Sequence, residues 1–171
     1  MGAANRSEDD FIDKVRREWK RAYPEFDTAP VEVMGRIARI NAQSLHQLDR
    51  ALASSGVSRA EFDVMSALAR SDRPLRASEV TAVTMVSGAA TTKHADRLAK
   101  LGFVERQRFE HDGRVVLLQL TDAGRALVEA EFPRRVERDR QVLTGLDEDE
   151  RAQLTALLKR ISLNIDSGIW D

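Results

Sequence analysis

Apolar residues recur at three- and four-residue intervals along most of the chain, which predicts a succession of amphipathic helices. Phe11, Val15, Trp19 and Ala22 mark a first one, and Tyr23-Pro24 ends it. From Val31 to Leu52 the positions Met34, Ile37, Ala38, Leu45, Leu48 and Leu52 form a stripe about six turns long. Ser58 and Glu61 have the spacing of a capping box, and Phe62, Met65, Leu68 and Ala69 follow at helical period. After a break at Asp72-Arg73-Pro74, Ala77 to Val83 predicts a short helix. A turn through Thr84 to Val86 then leads to Ser87, a good N-cap for a helix starting at Gly88. Along that helix Ala90, His94, Leu98 and Leu101 are predicted to face inward, and Gly102 to end it.

The helical period lapses between Phe103 and Leu120. Phe103 to Phe109 mixes apolar and charged residues, Glu110 to Arg114 is polar with a glycine, and Val115 to Leu120 is rich in branched residues, as in a β-hairpin. Thr121 can cap the next helix, Ala123 to Leu143, where Pro133 predicts a kink or a break. Asp147 with Glu150 can cap a last helix, whose apolar face is Leu154, Leu157, Leu158, Ile161 and Ile165. The expected fold class is mainly α with a small β-hairpin wing, a winged helix-turn-helix flanked by long terminal helices. Residues 1–30 form an N-terminal extension with its own helix, 31–57 a dimerisation helix, 58–121 the winged unit and 122–171 the C-terminal dimerisation helices.

Composition narrows the function. With 171 residues and 42% apolar content, the chain can bury one sizeable core. The net charge is −1, so no global basic field attracts nucleic acid. The segment from Arg70 to Arg114 nonetheless holds nine Lys or Arg against six Asp or Glu, and the rest eighteen against twenty-two. The basic surplus therefore lies on the helix-turn-helix and wing. The absence of cysteine excludes disulfides, thiolate metal sites and cysteine redox sensing. The three histidines show no metal-ligand spacing, and no glycine loop cradles a phosphate, so neither catalytic residues, metal nor cofactor are expected. No apolar run is long enough for a membrane span and Met1 to Asp10 is polar, which predicts a cytoplasmic protein without a membrane partner.

Asp96-Arg97-Leu98, Leu101-Gly102-Phe103-Val104-Glu105-Arg106, Asp112-Gly113-Arg114 and Leu118-Gln119-Leu120-Thr121-Asp122-Ala123-Gly124 together resemble the MarR family of winged-helix transcriptional regulators. The resemblance covers nearly the whole chain. It implies a recognition helix entering the major groove, with Ser87, Ala89, Thr91, Thr92, Lys93 and Arg97 at the DNA. A threonine can meet a thymine methyl or a phosphate, and a lysine a guanine edge or a phosphate. It also puts Asp112 and Arg114 at the wing tip, the arginine approaching the negative potential of a narrow minor groove. Terminal helices that interleave across a two-fold axis imply a homodimer on a pseudo-palindromic double-stranded operator.

The added N-terminal helix, with Trp19-Lys20 before Tyr23-Pro24 and the Asp27-Thr28-Ala29-Pro30 entry, is similar to the urate-responsive subgroup of that family. The likeness implies an effector site of Trp19, Asp63, His94 and Arg106. Where the subgroup has arginine in the recognition helix this chain has His94, an imidazole in place of a permanently charged fork. A small anionic or aromatic effector, a urate-like purine or a small carboxylate, would then release the repressor from DNA. Three other readings stand beside this one: a winged helix used only for protein contacts, a regulator with no effector, and a pH response from His94 beside Asp63.

Overall fold

A computed structural model of the chain describes residues 9–84, 86–109 and 112–168, with the side chains of 108–109 and 112–115 outside the description. In chain order the elements are α1 (Phe11–Ala22), α2 (Ala29–Leu52), a 3-10 turn (Ala53–Ser55), α3 (Arg59–Ala69), β1 (Leu75–Arg76), α4 (Ala77–Ala82), α5 (Gly88–Lys100), β2 (Val104–Phe109), β3 (Asp112–Leu120), α6 (Asp122–Val142) and α7 (Glu148–Asp166). The three strands form one antiparallel sheet in the order β1-β3-β2. The hairpin predicted from the lapse in helical period is β2 and β3, with Val104 opposite Leu120 and Arg106 opposite Leu118. β1 was not predicted: at two residues it has no period of its own, and it exists only because Leu75 and Arg76 pair with Leu118 and Leu117.

One core unites the winged unit with the ends of both long helices. Phe62, Val64, Met65 and Leu68 of α3 pack with Val80, Ala95, Leu98, Val104, Leu118 and Leu120, and α2 adds Leu48 and Leu52 while α6 adds Val128. α2 and α6 are thus seated in the winged unit by shared core packing.

The caps expected from the sequence are in place. Ser58 Oγ accepts from the Glu61 backbone N–H at 3.4 Å, and the Ser58 N–H donates to Glu61 Oε2 at 2.8 Å. Thr121 Oγ1 accepts from the Gly124 N–H at 3.1 Å and donates to the Gly102 carbonyl at 2.6 Å. α6 runs through Pro133 as one helix, so of the kink or break expected there the break does not occur. A proline costs a helix one N–H bond and a steric clash with the previous turn, yet α6 continues to Val142.

On α1 the buried residue is Ile12, not the predicted stripe: Phe11 and Trp19 are exposed. Ile12 rests on Gly35 of α2, where a Cβ would come within 3.1 Å of Ile12 Cδ1. Arg36 completes the docking, its guanidinium donating to Asp10 at 2.9 Å and Asp13 at 2.8 Å.

The far end of the fold is bare. α7 buries none of its residues, and Leu154, Leu157, Leu158, Leu163 and Ile165 are all exposed. Val33, Met34 and Ile40 on α2 are exposed as well.

Candidate nucleic-acid interface

α5 is capped by Ser87, whose Oγ accepts from the Ala90 N–H at 3.4 Å. Its inward stripe is Thr91, Ala95 and Leu98, one residue out of phase with the prediction at its first turn. Leu101, expected inside, is exposed, while Ala90 and His94 are half-buried. The cause is hydrogen bonding: Thr91 Oγ1 donates to the Ser87 carbonyl at 3.0 Å and accepts from Thr81 Oγ1 at 2.9 Å, so a polar residue is satisfied inside. Thr91, fully buried between α4 and α5, therefore cannot touch DNA as expected.

Ser87, Ala89, Thr92 and Lys93 remain at the surface of the N-terminal turns. Small and hydroxyl side chains there let a helix approach base edges closely. The wing stands beside this helix. Asp112 and Arg114 lie at the start of β3, at the hairpin's far end, and their side chains fall outside the described residues.

Arg97 was expected to face DNA. Instead its Nη1 donates to both carboxylate oxygens of Glu61, each at 3.0 Å, and its Nη2 to the Gly56 carbonyl at 3.1 Å. Glu61 is 2% exposed. Burial pushes its carboxyl up, but the Ser58 hydrogen bonds and the Arg97 guanidinium outweigh that and hold it below the usual carboxylate range. The sequence marks Glu61 as a capping residue and gives no sign of this second role, because its partner is 36 residues away.

The four residues proposed for an effector site are not gathered in this chain. His94 Nδ1 lies 3.6 Å from Glu61 Oε1, not beside Asp63. Two residues on a helix are about 200° apart, so Glu61 and Asp63 look in opposite directions. Asp63 answers instead to Arg135, Arg59 and Arg70, which only partly counter a burial that raises its carboxyl above the ordinary value. Arg106 of β2 forms an ion pair with Asp96 of α5, tying the wing to the recognition helix. Trp19 stands on α1 with its ring 5.6 Å from that of Tyr23, lining a hollow with Phe26, Asp27, Thr28 and Val31. His94 lines a different one, along the flank of α5.

Among the described residues no group of His, Asp and Glu could hold a metal ion, and no helix is long and apolar enough to cross a membrane. What the geometry offers is a capped helix with a small, polar leading face, fixed beside a hairpin.

Comparison with known proteins agrees with that geometry. The MarR family sequence model matches residues 55–115, from the turn before α3 into the wing. The HTH-type transcriptional regulator PecS of Dickeya dadantii is 30% identical over 156 residues, which cover 90% of this chain and 94% of that protein. The structure of Bordetella bronchiseptica BpsR, whose DNA binding is regulated by 6-hydroxynicotinic acid, superposes with a TM-score of 0.65 at 26% identity, covering 76% of this chain and 92% of BpsR. Streptococcus pneumoniae FabT, solved in complex with DNA, shares the fold with a TM-score of 0.71 at 22% identity, covering 80% and 96% of the two chains. With its winged helix-turn-helix and a relative matched almost end to end, this chain belongs to the MarR family of DNA-binding transcriptional regulators.

Proposed function

We propose that the protein is a homodimeric repressor that reads a pseudo-palindromic operator and leaves it when a small anionic or aromatic effector binds. The observation that carries the reading is the exposed leading face of α5, where Ser87, Ala89, Thr92 and Lys93 stand beside the hairpin that bears Arg114. The α5 residues meet the major groove and Arg114 the minor groove, and only the first set needs to read base identity.

The dimer is supported by the uncovered apolar face of α7 and the exposed Met34 and Ile40 of α2, since such area is rarely left to water in a folded protein. A two-fold dimer presents its recognition helices about one helical turn apart. The effector is supported by BpsR's response to 6-hydroxynicotinic acid and by the aromatic hollow at Trp19, which suits a flat ring such as a urate-like purine or an aromatic carboxylate. Within one chain this role falls to Trp19 alone of the four expected residues. His94, Asp63 and Arg106 already face Glu61, Arg135 and Asp96.

Binding to the duplex selected by the protein from a random-sequence pool tests the reading. Affinity should fall steeply as salt rises, and Lys93→Ala and Arg114→Ala should each lower the slope of log affinity against log salt by roughly one. A protein-contact module would enrich no sequence. Titration of the complex with urate, 6-hydroxynicotinate and small carboxylates tests the effector separately, and unchanged affinity with every one would remove that part alone.

A further inference from the structure

We infer that Glu61 is a positioning residue for operator recognition: through Arg97 it fixes the depth and angle at which α5 is presented, and Arg97 is a strut rather than a phosphate contact. The inference rests on the DNA-binding reading and adds to it a residue that touches no DNA.

The chain supplies its own controls. α1 and α7 also start with capping boxes, closed by Asp13 and Glu150, and at the start of α4 Glu79 accepts from the Arg76 backbone N–H in the same way. None of those carboxylates is buried, so a capping box does not require burial. Glu61 alone of the four is buried, and Arg97 engages both of its oxygens there, whereas the pairs that Asp13 makes with Arg36 and Glu79 with Arg73 stay nearer the surface. A buried carboxylate without a cation would be costly. The pair is therefore held by necessity on the Glu61 side, even though the Arg97 side chain is half-exposed.

α5 needs such a strut. Its buried side chains are Thr91, Ala95 and Leu98, a narrow and mostly small set that by itself offers little resistance to rolling. Thr91 fixes the first turn through Thr81. Arg97, two turns later, joins α5 to the capped start of α3 and to the carbonyl of Gly56, whose left-handed φ of 67° closes the 3-10 turn. With Nη1 on the Glu61 carboxylate and Nη2 on the Gly56 carbonyl, the guanidinium is held at two points, which resists rotation in a way a single hydrogen bond does not. Because its charge is already matched by Glu61, Arg97 contributes little net positive potential toward a phosphate.

Two expectations for DNA binding separate here. If Arg97 is a phosphate contact, removing Glu61 frees a cation and deletes a nearby negative charge, so every duplex should bind more tightly. If Glu61 is a strut, operator binding should weaken while binding to unrelated duplex does not. Glu61→Gln keeps an acceptor that can close the capping box, and Arg97→Gln leaves the capping box untouched, so both variants should fold.

The wild type first selects its site from a random-sequence duplex pool; absence of any enriched sequence would sink the DNA reading itself. Affinities of both variants for that site and for a scrambled duplex are then measured by fluorescence anisotropy across a salt series. The strut predicts about a tenfold or greater loss on the selected site, the scale of one misaligned base contact. It also predicts unchanged affinity for the scrambled duplex, an unchanged salt slope for Arg97→Gln, and a double variant no worse than either single one. A salt slope lower by about one for Arg97→Gln, with both duplexes weakened alike, or tighter operator binding by Glu61→Gln, would overturn it. So would operator affinity at the wild-type level in both variants.

Discussion

Gly124 lies in the first turn of α6 with an ordinary helical backbone, so its glycine is not explained by conformation. It is explained by space. A Cβ built there would sit 2.0 Å from the Phe103 carbonyl oxygen and 2.9 Å from its carbon, against a limit near 3.0 Å for real side chains. Gly124→Ala must therefore move the helix start or the Phe103 backbone by about 1 Å. That shift strains the Thr121 N–H bond to the Phe103 carbonyl at 3.1 Å and the Thr121 hydroxyl bond to the Gly102 carbonyl at 2.6 Å. Overpacking costs about 1–3 kcal/mol and a weakened hydrogen bond about 0.5–1.5 kcal/mol. The better helix propensity of alanine returns about 1 kcal/mol. The net is a destabilisation of about 2 kcal/mol, lowering the melting midpoint by roughly 4–8 °C for a chain of this size. Urea unfolding at one fixed protein concentration measures it, so that any association contributes equally to both proteins. Gly88→Ala, with nothing within 4 Å of its Cβ, serves as the control and should be neutral or stabilising. Gly124→Ala unfolding at the wild-type midpoint, or Gly88→Ala proving the costlier change, would refute the close-approach argument.

The remaining expectations concern polar groups and the bare face. Asp63 has a folded pKa raised above 3.8, so its ionisation opposes folding, and stability is lost as pH rises from the unfolded value through the folded one. Asp63→Asn should therefore be more stable than wild type near pH 7, with the gap narrowing toward pH 4 in urea titrations. Glu61 runs the other way: its folded pKa lies below 4.5, so its stabilisation is present above that value and lost as pH falls through the folded one, and Glu61→Gln should blunt acid unfolding. Thr91→Val keeps shape but loses the bonds to Ser87 and Thr81, which predicts a loss of about 1 kcal/mol in thermal unfolding with no change in the salt slope of DNA binding. Leu157→Glu places a charge on the exposed apolar face of α7; sedimentation should show a dimer for the wild type and a monomer for the variant, and operator affinity should fall with it.

Where the fold was legible in the sequence, the reason was local. Ser58, Ser87, Thr121 and Asp147 each cap a helix because the hydroxyl or carboxylate reaches N–H groups two or three residues on. The hairpin was visible because its residues abandon the helical period together. The inward stripe of α5 was misjudged because apolarity alone picks Ala90 and Leu101, whereas the partner that buries Thr91 is Thr81, on another helix. The effector quartet fared worse for the same reason. Its members match a pattern in sequence, but the three ionisable ones face other charges: His94 has Glu61, Arg106 has Asp96 and Asp63 has Arg135. Pairings between residues on different elements, ten or more positions apart, leave no trace in spacing.

Those pairings also constrain how any effector could act. α6 is clamped to the base of the wing at Gly124 and Thr121, and α2 enters the winged core through Leu48 and Leu52. α5 is held in turn by Thr81, Glu61 and, through Asp96 and Arg106, by the wing. A ligand in the α1–α2 hollow at Trp19 therefore has no soft joint near it through which to melt the reading head. A shift at the contact between two copies would instead carry each winged unit, with its α2 and α6, as a rigid body. In a two-fold dimer that motion changes the separation of the two recognition helices. Relief of repression would then show as lost affinity for the two-half-site operator with unaltered affinity for a single half-site, in proportion to how much better the effector binds the wrongly spaced state.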